Sequence, residues 1–135
     1  MDYQSKYQFW LENEYFDDLI VKYEKEYSLW RNDIGNAICV GGESVLDLQK
    51  RVYSEILQIA KDNVGKTLLI GTHATPIRSF CAKISNLNKD DMHTLGWATN
   101  ASVTTVDFVD NEFTLVKYGD DEFLSDLTTH LPPTV

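Results

Sequence analysis

Cysteine is nearly absent from this 135-residue chain. Cys39 and Cys81 are the only two, and they share neither a CxxC nor any ligand-like spacing, so the chain reads as carrying reduced thiols rather than a disulfide framework or a metal knuckle. Proline is also scarce, at three residues, and there is no Pro-rich or Gly/Ser-rich linker to divide the chain into domains. No apolar run approaches the roughly 20 residues that a membrane-spanning helix needs. The opening Met1-Asp2-Tyr3-Gln4 does not resemble a signal peptide. Basic residues are outnumbered, 12 Lys and Arg against 21 Asp and Glu, for a formal net charge of -9. That balance argues against nucleic acid or an anionic membrane as partner, because both are held by clustered Lys and Arg. The expectation is a cytoplasmic protein.

What is present describes a globular chain. With 43% hydrophobic and 24% charged residues, residues 1–135 read as a single domain, large enough to bury a core without metal or disulfide staples. The acidic pairs Asp17-Asp18, Asp90-Asp91 and Asp120-Asp121 match no calcium loop or other metal pattern and read as solvated surface. Phe16, Leu19, Ile20, Tyr23, Tyr27 and Trp30 recur at three- and four-residue steps, which predicts an amphipathic helix from Leu11 to about Trp30. Its aromatic stripe reads as core or interface. A loop follows to Gly42. Ser44 with Asp47 three residues on resembles a capping box, and Val45, Leu48, Val52, Ile56 and Ile59 carry one apolar face to about Asp62.

Gly65-Lys66 then turns the chain into Thr67–Thr72, a short apolar run suited to a parallel-type strand buried on both faces. Thr75 is a good N-cap and Pro76 a good first helical residue, with Ile77, Phe80, Cys81 and Ile84 continuing the stripe. A strand end meeting a helix start is a common place for chemistry. Its unpaired N–H groups and partial positive charge suit a phosphate or carboxylate, and His73 stands at that corner. On so acidic a chain, an anion pocket must concentrate its few positive groups locally. Further on, Asn88 caps a short helical turn. Ser102–Val109 and Phe113–Tyr118, separated by Asp110-Asn111-Glu112, predict a β-hairpin. Residues 120–135, with Pro132-Pro133, read as a loose tail.

Taken together, Gly42-Glu43-Ser44 with Arg51 eight residues after the glutamate, the strand ending Gly71-Thr72-His73-Ala74 and running on to Pro76-Ile77-Arg78, and the Asn100-Ala101-Ser102-Val103-Thr104 strand with its partner resemble the histidine phosphatase superfamily, the phosphoglycerate-mutase-like group, from about Trp10 to about Tyr118. The resemblance implies an α/β fold: a three-layer sandwich, truncated here, with a parallel-type central strand and a C-terminal β-hairpin. It implies hydrolysis or transfer of phosphate esters through a phosphohistidine, with no metal and no nucleotide cofactor. A neutral imidazole attacks phosphorus, a second histidine and two arginines spread positive charge over the phosphoryl oxygens, and a carboxylic acid protonates the leaving group. His73 matches the second, electrostatic histidine, with Ala74 and Thr75 beside it as phosphate-binding positions. Glu43 and Arg51 match positions read as a structural ion pair bracing the helix, in preference to a direct substrate role. Arg78, one turn into its helix, is placed to face solvent, to brace the loop or to contact the phosphate directly.

The family opens with an Arg-His-Gly strand whose histidine is the nucleophile, and this sequence has no Arg-His-Gly. Its other histidines, His93 and His130, lack the flanking arginine and glycine, and Glu12 and Glu14 are the nearest candidates for the acid. Two readings follow. One is the carboxyl-terminal part of a histidine phosphatase, inactive alone and competent only if the nucleophile is supplied from elsewhere. The other is a non-catalytic self-associating or phosphate-binding module. Expected partners are a phosphorylated small molecule or inorganic phosphate. A second copy is also expected, because without the nucleophile strand Thr67–Thr72 would show an unpaired edge.

Overall fold

The computed structural model describes residues 16–39 and 41–127. The amino-terminal stripe forms two short helices, α1 (Phe16–Lys22) and α2 (Glu24–Asn32), rather than one continuous helix. Tyr23 leaves helical backbone between them, at φ −124° and ψ 42°. The part of the predicted helix before Phe16 lies outside the described residues. Tyr23, Tyr27 and Trp30 are half-buried along the stripe, and Trp30 tilts against Trp97 with ring centroids 5.9 Å apart. The expected loop after α2 holds a single 3-10 turn at Ile34–Asn36.

Helix α3 (Val45–Asp62) begins where the capping pattern placed it. Ser44 Oγ accepts from the Asp47 N–H at 3.1 Å and donates to Asp47 Oδ2 at 2.7 Å, satisfying one of the donors that a helix start leaves unpaired. The hydrogen bond from Ser44, then Lys50, holds the Asp47 carboxyl below its ordinary pKa. Ser44→Ala is expected to cost about 1 kcal/mol, read as a drop of about 4 °C in Tm, while the Asp47 pKa followed by NMR rises toward its ordinary value.

Helix α4 (Ala74–Ile84) lies against α3. Gln49 Nε2 of α3 donates to the Ser79 carbonyl at 2.8 Å in the buried interface. Tyr53 meets Phe80 there at 6.2 Å between ring centroids. The core of Ile34, Ala37, Val45, Ala82 and Met92 fills the space between these helices and the 3-10 turns at Ile34–Asn36 and Met92–Thr94. Asn88 Oδ1 accepts from the N–H groups of Asp90 and Asp91 ahead of the second turn, whose own N-cap is Asp91, without a side-chain capping bond.

Strands β1 (Val103–Val109) and β2 (Glu112–Asp120) form the predicted antiparallel hairpin. Asp110 and Asn111 both adopt positive φ, 52° and 66°, as a two-residue turn that follows strand twist requires. Val106, Phe108, Phe113 and Leu115 share the half-buried face, and Phe113 packs edge-on against Phe80 at 5.2 Å and Tyr53 at 6.0 Å. Opposite Thr105, the register jumps from Leu115 to Lys117. This bulge at Val116 leaves Val116 and Lys117 both exposed and returns Tyr118 to the inner side. β2 continues to Asp120, and short 3-10 turns lie within Glu122–Leu127 on either side of Ser125, whose backbone is non-helical at φ 48° and ψ −123°; the rest of the expected tail lies outside the described residues.

Thr67–Thr72 does not form the doubly buried strand that its apolar run predicts. No strand is assigned there, and Leu68, Leu69 and Ile70 are 43%, 94% and 45% exposed. Burial needs neighbouring strands and a covering layer, and among the described residues the only sheet is the β1–β2 hairpin. No helix of the described residues is long and apolar enough to cross a membrane.

Candidate functional site

The corner at His73 starts its helix two residues earlier than the Thr75 cap predicted. His73 itself is the N-cap, at φ −112° and ψ 164°, and its side chain makes no capping hydrogen bond. Pro76 falls at the third helical position, which a proline tolerates because a first-turn N–H has no intrahelical acceptor to lose. The first bond of the helix runs from Ile77 N to the His73 carbonyl at 3.2 Å. Ahead of it the amides of Ala74 and Thr75 have no acceptor within the helix, and Pro76 has no N–H. An exposed imidazole, two backbone donors and the positive end of an 11-residue helix therefore meet at one place, an arrangement that favours an anion.

Arg78 does not face solvent. It is 3% exposed, with Nη2 donating to the His93 carbonyl at 3.1 Å and the guanidinium 4.8 Å from the centre of the Trp97 ring. Nε and Nη1 are buried without hydrogen-bond partners, and burial pulls the pKa below its ordinary value. A buried guanidinium with two orphan donors is costly; the charge-assisted bond and the aromatic face offset part of that cost. The result is a brace between α4 and the 93–97 loop, one of the three roles the sequence left open. Neither Trp97 nor the His93 carbonyl carried a signal in the sequence, because both meet Arg78 only through the fold.

Glu43 and Arg51 form the expected ion pair. Arg51 Nη2 reaches Glu43 Oε1, and Nε lies 3.3 Å from Oε2. The fork-like contact ties the turn before α3 to its second turn, and both side chains are about three-quarters buried. His93 lies in the 92–94 turn, with its Nδ1 2.7 Å from the Asp90 carbonyl. Among the described residues, no three His, Cys, Asp or Glu side chains gather closely enough to hold a metal ion.

Comparison with known proteins agrees with this layout. No curated protein sequence matches the chain. Among solved structures, Bacillus stearothermophilus YhfR superposes with a TM-score of 0.73 at 20% identity, over 81% of this chain and 54% of that one. The chain thus spans about half the length of YhfR. A sequence model of one family matches residues 10–121, from before α1 to the end of β2. By that match the chain belongs to the histidine phosphatase superfamily, branch 1.

Proposed function

We propose that this chain carries the electrostatic half of a phosphoryl-transfer site for phosphate monoesters and is inactive alone. The observation that supports the reading is the exposed His73 at the start of α4, beside the acceptor-less amides of Ala74 and Thr75. A phosphoryl group seated there accepts hydrogen bonds from both amides and from an imidazole N–H. These are the donors that stabilise charge on the oxygens as a bond to phosphorus breaks. Attack on phosphorus needs a second, neutral imidazole, which the family draws from an Arg-His-Gly strand and this sequence lacks. Glu43–Arg51 and Arg78 support the scaffold and do not carry the chemistry.

The test is a titration of the 135-residue chain with inorganic phosphate, followed by amide and imidazole NMR shifts, alongside an aryl-phosphate turnover assay. Phosphate is expected to shift the Ala74 and Thr75 amides and the His73 ring, with no turnover. His73→Ala should weaken binding by about tenfold or more, the size of a lost charge-assisted hydrogen bond, without lowering Tm, since His73 is exposed and caps nothing. Amides that do not move would sink the phosphate site. Turnover that His73→Ala abolishes would overturn the inactivity of the lone chain.

A further inference from the structure

We infer that Arg78 acts on an anion held at the His73 corner through its charge alone, without touching it: the buried guanidinium is the local positive field that so acidic a chain needs beside a phosphate. This rests on the phosphoryl-transfer reading above and adds a residue to it. At a formal net charge of -9, the long-range field of the chain repels an anion, and a pocket must oppose that field from close by. Several positive side chains are neutralised by a partner. Arg51 lies against Glu43, Lys50 against Asp47, Lys89 against Asp90, and Lys117 against both Asp120 and Glu122. Among the described residues no carboxylate pairs with Arg78.

The groups around the guanidinium are neutral. Nη2 bonds the His93 carbonyl and the Trp97 ring lies 4.8 Å away. Tyr118, whose phenol neighbours Arg78, is uncharged at pH 7 because burial pushes it up to about 12. A charge on a residue only 3% exposed is weakly screened by water and salt, so its field reaches further than that of a surface lysine. Its place on α4 aims that reach at the corner. Arg78 follows Ala74 by four residues, which puts it on the same helix face about 6 Å along the axis. The guanidinium and the positive end of the helix therefore act with one sign on whatever the Ala74 and Thr75 amides hold. Stability alone does not call for this charge. Nε and Nη1 are buried without acceptors, a cost that a neutral side chain in the same seat avoids. The brace to the 93–97 loop uses one donor to the His93 carbonyl, which an uncharged amide also supplies.

The test is a pair of variants that each keep a donor for that carbonyl and differ in charge, Arg78→Gln and Arg78→Lys. Both are titrated with inorganic phosphate at about pH 6.5, where a buried ammonium holds its proton better than at higher pH, and followed at the Ala74 and Thr75 amides. Arg78→Gln is expected to weaken binding by about tenfold, the effect of one unit charge roughly 10 Å away at the effective dielectric of a protein. Its Tm should be no lower than that of Arg78→Lys, with the 93–97 amides undisturbed. Arg78→Lys is expected to bind phosphate nearly as the parent does. A Gln variant that binds like the parent would overturn the inference, and so would a Lys variant as weak as Gln, since shape rather than charge would then matter. A Gln variant that unfolds where the Lys variant folds would also overturn it, by assigning the charge to stability. Phosphate that moves neither amide in the parent chain sinks the functional reading and this inference together, whereas amides that move equally in parent and Gln variant sink the inference alone.

Discussion

Gly35→Ala is expected to lower the unfolding free energy by about 3 kcal/mol or more, a fall in Tm of about 10 °C. A Cβ at this position would stand 1.9 Å from the Lys89 carbonyl oxygen, 2.6 Å from its carbon and 2.9 Å from its Cα. All three are backbone atoms, so no rotamer change relieves the contact. Retreat is blocked on both sides. Ile34 and Ala37 flank the turn and are each 1% exposed within the core. Across the contact, Asn36 Nδ2 donates to Asp33 and to Asp90 Oδ1, and Lys89 Nζ donates back to Asn36 Oδ1. The two 3-10 turns would have to separate, exposing Met92. Gly71→Ala is the control, since an added Cβ there meets nothing within 4 Å. A Gly35→Ala chain that melts within about 3 °C of the parent would show that the 34–36 and 88–91 turns are not packed as described.

The elements legible in the sequence were those whose signals are local. Ser44, Asp47 and the apolar stripe after them defined α3 because a cap and a helical period are properties of neighbouring residues. The hairpin was legible in the same way, from alternating residues on either side of Asp110-Asn111. The bulge at Val116 was not, since an extra residue on one strand shows only when its partner is aligned against it. Thr67–Thr72 was misread for a related reason. A continuous apolar run reports that a strand is suited to burial, but burial depends on neighbours, and the described residues supply none. At the candidate site, His73 stood out from the apolar run that precedes a helix start. The exact start of α4 was missed because a cap at Thr75 and a proline in the first turn satisfy the same sequence rules as the observed start. Arg78 was undecidable for a different cause: its seat is built by the 93–97 loop, which nothing near it in sequence announces.

Stability is expected to fall steeply as pH rises from about 9 toward 12, well before general alkaline unfolding of a chain of ordinary titrations. Burial pushes the Cys81 thiol up from 9.0 to about 12. Burial likewise raises the Tyr118 phenol from 10.0 to about 12, reinforced by the neighbouring Cys81 and opposed to a lesser degree by the Arg78 guanidinium. Each group is an acid that the folded state keeps protonated, so the unfolded chain releases its proton first. Their contribution is therefore complete below the unfolded pKa values of 9.0 and 10.0 and is lost as pH climbs toward 12. The steepest loss is about 1.4 kcal/mol per pH unit for a single group, and less for Tyr118, which solvent partly screens. The geometry explains why neither proton leaves easily. Cys81 has no exposed surface on α4, and Tyr118 donates its hydroxyl to the Gly96 carbonyl at 2.7 Å, a bond that a phenolate cannot make. Urea midpoints measured at pH 8, 9, 10 and 11 check this. They should hold nearly level to pH 9 and then drop, and Cys81→Ala should flatten the drop even though removing the buried sulfur lowers the midpoint at pH 8. Midpoints that stay level to pH 11 in the parent chain would show that Cys81 and Tyr118 ionise without unfolding it. The hairpin and the 93–97 loop would then yield locally at Tyr118, and the brace that Arg78 makes to the same loop would be weaker than its burial implies.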